Sequence, residues 1–108
     1  MECFYVAIVA VTITPIGKGP SISSYVAAAE KVLDNKPGLK RHIGPMSTTL
    51  EGDLDEILQA IREMQEAVFA AGAERVATEI KIDDRRDKTI SIEGKIQAVQ
   101  AKLAQLKD

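Results

Sequence analysis

The sequence predicts an α+β fold: a ferredoxin-like β-α-β-β-α-β unit with an antiparallel sheet in the order 4-1-3-2 and an added C-terminal helix. Three observations predict it. A β-branched run at 4–14 and an alternating run at 75–83 bracket two stretches whose apolar residues recur at helical spacing. Two short strand-like runs meet at Gly44-Pro45, which reads as a hairpin between those helices. Beyond residue 91, Ile92, Ile96, Val99, Leu103 and Leu106 recur at intervals of four, three, four and three, which makes a third helix.

Residues 4–14 alternate apolar side chains on both faces, with Tyr5, Ala7, Val9, Val11 and Ile13 on one side and Phe4, Val6, Ile8, Ala10, Thr12 and Thr14 on the other. Pro15, Gly17, Gly19 and Pro20 then enforce a loop. Residues 21–24 offer serines as N-caps for a helix to about Asn35, with Ile22, Val26, Ala29 and Leu33 as its stripe. Lys36-Pro37-Gly38 ends it. Strands are expected at 39–43 and 46–51. Asp53 and Glu56 resemble a capping box for a helix carrying Leu54, Ile57, Leu58, Ile61, Met64 and Val68, and Gly72 is its natural terminator. At 75–83, Val76, Thr78, Ile80 and Ile82 share one face and Ala77, Glu79, Lys81 and Asp83 the other. The last helix is expected at 91–107.

The chain has 108 residues, which suit a single domain over 1–108, and 45% of them are apolar, which argues against disorder. A net charge of −2 with acids and bases interspersed gives no basic face for a nucleic-acid partner. Cys3 stands alone, so no internal disulfide and no Cys/His metal site is expected, and nothing implies a cofactor. The first residues lack the basic region of a signal peptide, and the apolar run at 4–11 is too short to span a bilayer. A cytoplasmic protein with no membrane partner is the expectation.

Because both faces of the first strand are apolar, both need cover. The two main helices cover one, so a second copy of the chain is the simplest cover for the other. The 3.5-residue spacing of the last helix suits the same purpose.

The candidate chemistry is recognition rather than catalysis. In the expected sheet, the ends of strands one and two and the starts of strands three and four share one edge. Thr12, Thr14, the 17–23 loop with Gly17, Gly19, Ser21 and Ser23, the Gly44-Pro45 turn, and Ser47 and Thr48 converge there. Small hydroxyls and backbone groups of this kind suit a small polar or heteroaromatic ligand. The loop also opens a helix and so has free N–H groups for an anion, although it lacks the GK[ST] of a Walker loop. Glu51 and Lys81 join the candidate set because charges on a covered sheet face must pair or meet a ligand. His42, the only histidine, has no partner fixed by sequence and reads as a surface strand residue. No acid–base or nucleophile set is evident, so no catalytic residue is assigned and an enzyme is not expected. The dense charges at 83–88 read as mutual ion pairs, in which three Asp oppose a phosphate site on Arg85 and Arg86.

Three linked motifs carry a resemblance: Pro15-Ile16-Gly17-Lys18-Gly19 with residues 21–25; Gly44-Pro45-Met46-Ser47-Thr48 through Leu50-Glu51-Gly52; and Ile80-Lys81-Ile82-Asp83-Asp84-Arg85-Arg86-Asp87. Together they resemble the thiamine-binding protein family, the MTH1187/YkoF-like group formerly carried as uncharacterised. Lys18 departs from the Thr expected between the two glycines. The resemblance implies a ferredoxin-like fold, a homotetramer built as a dimer of dimers with sheets face to face, and binding of thiamine or its hydroxymethylpyrimidine moiety in transport, salvage or sensing. An oligomeric scaffold that regulates a partner without a small ligand is the competing reading.

Overall fold

A computed structural model describes residues 6–106. The elements run β1 (Ala7–Pro15), α1 (Ser23–Val32) with a 3-10 turn (Leu33–Asn35), β2 (Lys40–Ile43), β3 (Thr48–Gly52), α2 (Leu54–Ala70), β4 (Val76–Asp83) and α3 (Ile92–Gln105). The sheet order is β2-β3-β1-β4, all neighbours antiparallel, which is the expected 4-1-3-2 order read from the other edge.

The register sorts the side chains. Val9 lies between Leu50 of β3 and Ile82 of β4, and Val11 between Thr48 and Ile80. These positions face the helices. Val9, Val11, Ile13 and Leu50 join Ala29 and Leu33 of the α1 region and Ile57, Ala60, Ile61, Met64 and Val68 of α2 in one buried core. Both helices therefore lie on one face of the sheet. The stripe of α2 has the period its burial requires, and Asp53 caps it by accepting a hydrogen bond from Glu56 N at 3.1 Å. Gly72 ends α2 with φ +118°, a conformation that favours glycine.

The opposite face carries Ile8, Ala10, Thr12 and Thr14 of β1, flanked by Glu51 and Thr49 on β3 and by Asp83, Lys81, Glu79 and Ala77 on β4. It is more polar than β1 alone suggests, because the neighbouring strands bring charges into register. Ile8 and Ile90 are buried on the chain's own account. Phe4 and Tyr5, expected to begin the first strand, and Cys3 lie outside the described residues.

Several boundaries differ from expectation, among them Pro15, which ends β1 paired with Val76 instead of opening the loop. Met46 and Ser47 belong to the turn, and β3 starts at Thr48. Leu39 precedes β2 rather than opening it. The cap of α1 is Ile22, with no side-chain cap bond, in place of a serine. Half-buried Ile22 takes the cap position and its carbonyl accepts from Tyr25 N and Val26 N, which leaves Ser23 and Ser24 inside the first turn.

The last helix starts on the open face. Ser91 caps it by accepting from Gly94 N at 2.9 Å. Glu51 Oε1 accepts from Ile92 N at 2.7 Å, and Lys95 pairs with Asp83 at 2.6 Å. Beyond that anchor, α3 has no buried residue. The radius of gyration is 16.0 Å, against about 13 Å for a compact chain of this length, so α3 projects from the body. Among the described residues no helix is long and apolar enough to cross a membrane.

Candidate ligand-binding site

The edge where β1 ends and β3 begins holds a cavity of about 300 Å³. Its floor and walls are apolar: Val11 and Ile13 from β1, Ile22, Val26 and Ala29 from α1, Ile43 from β2, and Met64 from α2. Its mouth is the β2–β3 turn, Gly44-Pro45-Met46-Ser47. Gly44 N donates to Ser47 O at 2.9 Å and closes that turn. A Cβ on Gly44 would stand 2.9 Å from the same carbonyl, so a side chain there would force the turn open. Met46 at the mouth is 85% exposed.

Two polar side chains reach this apolar space together. Thr48, buried in the helix-facing row of β3, donates from Oγ1 to Glu30 Oε2 at 2.5 Å. Glu30 lines the cavity from α1 with its side chain only 13% exposed. Arg41 on β2 holds it from outside: Nη1 donates to Glu30 O at 2.6 Å and reaches Oε1 at 3.4 Å, while Nη2 donates to Asp34 Oδ1 at 2.5 Å. One guanidinium thus serves two carboxylates, of which Glu30 alone lines the cavity. Such a site suits a flat, apolar-faced ligand with N–H donors or positive charge on its rim.

The expected site residues divide into three groups. Thr12, Thr14, Ser23, Ser47 and Thr48 all line the cavity. Thr12 and Thr14 stand at its rim on the open-face side of β1, where Thr12 Oγ1 makes a long 3.5 Å contact to Glu79 Oε1. Gly17, Gly19 and Ser21 are exposed in the preceding loop and do not line it; Gly17 and Gly19 have φ of +85° and +80°. Glu51 and Lys81 lie on the other face of the sheet. Glu51 anchors α3 and stands 3.8 Å from Lys40, and Lys81 lines a shallow recess with Ala10, Thr12 and Glu79. Glu30 is the functional candidate that sequence reasoning missed. The signal that points to it is Arg41: in a β2 that alternates, Arg41 faces α1, and a basic residue there needs an acid on that helix.

His42 is exposed on the open face opposite Thr49. In the charged connector, Arg85 pairs with Asp87 and Arg86 with Asp84. A hydrogen bond from Arg86 holds the Asp84 carboxyl below its usual range, and one from Arg85 does the same for Asp87. These guanidinium groups face neighbouring carboxylates, as their spacing predicts. Among the described residues no group of three or more His, Cys, Asp or Glu is placed to hold a metal ion.

The family model described as "Thiamine-binding protein" matches residues 9–100. YqgV of Bacillus subtilis is 45% identical over 101 residues, which cover 90% of this chain and 97% of that protein. The crystal structure of MJ1052 from Methanocaldococcus jannaschii superposes with a TM-score of 0.81 at 43% identity, covering 88% of this chain and 96% of that one. A Bacillus cereus domain of unknown function superposes with a TM-score of 0.77 at 33% identity, covering 86% and 88%.

Proposed function

This chain belongs to the thiamine-binding protein family, and from that premise we propose that its cavity binds thiamine or the hydroxymethylpyrimidine moiety of thiamine, in transport, salvage or sensing rather than in catalysis. The observation that carries the reading is the Glu30–Thr48 pair set in a largely apolar cavity of about 300 Å³ between α1 and the β2–β3 hairpin. That volume is at the lower end for small-ligand sites and suits one substituted ring. Thiamine joins a flat aminopyrimidine to a cationic thiazolium. Ile13, Val26 and Met64 supply apolar walls for the first ring, and the Glu30 carboxylate favours the cation. Ser23 and Ser47 add hydroxyls for ring nitrogens. Titration calorimetry with thiamine and with hydroxymethylpyrimidine tests the reading: saturable binding near one ligand per chain is expected, and absence of heat and of thermal shift at millimolar ligand contradicts it.

The protein works, in this reading, as a homotetramer arranged as a dimer of dimers. The support is apolar surface that one chain leaves uncovered. On α3, Val99 and Leu103 are 60% and 59% exposed, Leu106 just past its end is 75% exposed, and Ile80 and Ile82 stand exposed along β4. A row of this kind is ordinarily an interface. The competing scaffold reading uses the same surface and gains ground only if assembly is found without ligand binding.

A further inference from the structure

We propose that Glu30 sets the chemical selectivity of the cavity, making it specific for planar N-heterocycles that carry an exocyclic amino group and selecting against their oxo counterparts; this rests on the ligand-binding reading above. An ionised carboxylate offers about four acceptor sites and no donor. Thr48 Oγ1 occupies one on Oε2, and Arg41 Nη1 lies on Oε1. About two sites are left for an occupant, and Glu30 lines the cavity. The two side chains that hold Glu30 direct their donors at carboxylate and carbonyl oxygens, and Arg41 does not line the cavity. Thr48 spends its proton on Glu30, and Arg41 spends its two terminal nitrogens on Glu30 and Asp34.

An amino group presented to Glu30 therefore finds a charged acceptor whose orientation is already fixed from two sides. An oxo group in the same place meets acceptor against acceptor inside a largely apolar cavity, where an unmatched polar atom is costly. Arg41 is a positioning residue: its bond to the Glu30 carbonyl and its contact with the Glu30 carboxylate fix that stretch of α1 against β2.

Thiamine and oxythiamine, which differ by amino against oxo at one pyrimidine carbon and by the ring N–H that the oxo form carries beside it, are the probes. The unmodified protein is expected to bind thiamine about ten- to a hundredfold more tightly, the usual range for one hydrogen bond to a charged partner. In Glu30→Gln the side-chain amide can either accept or donate, so the two affinities are expected to converge to within about threefold. Thr48→Val keeps the carboxylate and is expected to weaken thiamine while preserving the preference. Equal affinity of the unmodified protein for both probes overturns the assignment without touching the ligand-binding reading. So does an undiminished preference in Glu30→Gln. Failure of the unmodified protein to bind either probe overturns both.

Discussion

Glu51 on β3 accepts the hydrogen bond of Ile92 N at 2.7 Å, forty-one residues along the chain, and so fixes where α3 leaves the sheet. Its other carboxylate oxygen is 3.8 Å from Lys40. The side chain is 12% exposed, so its loss would leave a partly buried N–H without an acceptor. Glu51→Ala is expected to cost about 1 kcal/mol and to speed hydrogen exchange at Ile92, whereas Glu51→Gln, which keeps an acceptor, should change both far less. Hydrogen exchange read by mass spectrometry over residues 89–95 checks this.

The uncovered stripe of α3 gives a prediction about assembly. Val99 and Leu103 contribute nothing to the buried core of one chain. Replacing both by Asp should leave helix content and thermal stability of the isolated fold nearly unchanged, while light scattering should show a shift to a smaller species. An unchanged mass would remove α3 from the interface.

The sheet core behaves differently. Leu50 is fully buried on the helix-facing side of β3, opposite Val9. Leu50→Ala is expected to destabilise by about 2–5 kcal/mol, the range for removing a well-packed aliphatic side chain. His42→Ala, one strand over on the exposed face, should lie within about 0.5 kcal/mol of the parent. Urea midpoints of the two variants make the comparison.

Acid titration separates the ion pair between Lys36, just past the 3-10 turn, and Glu63 on α2 from the rest. Lys36 Nζ lies 2.9 Å from Glu63 Oε2, and its hydrogen bond, with a smaller one from Gln59, holds the Glu63 carboxyl below its usual range. A carboxyl lowered by folding contributes stability that is present above its unfolded value and is lost as the pH falls through its folded value. Glu63→Gln should therefore lower the thermal midpoint at neutral pH and converge with the parent in acid. A constant difference at all pH values would show that the pair contributes nothing through ionisation.

Much of this architecture is legible in the sequence because local signals and tertiary packing agree. The alternation at Val76–Asp83, the stripe of α2 and the cap at Asp53 each specify an element without reference to its neighbours. The serines before α1 mislead for a physical reason: burying Ile22 beside the cavity outweighs a side-chain cap. The hydroxyls were also legible only as a location. Thr12, Ser23, Ser47 and Thr48 reach one edge, as topology requires, yet pleat sends Thr12 to the open face and Thr48 to the helices. Glu30 was hidden because it reads as a solvent-side residue beside Ala29; only the pairing of Ile43 with Thr48, which sets the register of β2, brings Arg41 and Thr48 to it.

The most direct test of the account is a crystal structure of the protein grown with thiamine. Pyrimidine density is expected in the cavity between Ile13, Val26 and Met64, with the amino nitrogen within hydrogen-bonding distance of Glu30. Density for thiamine on the open sheet face near Glu51 and Lys81, with the cavity empty, would contradict it.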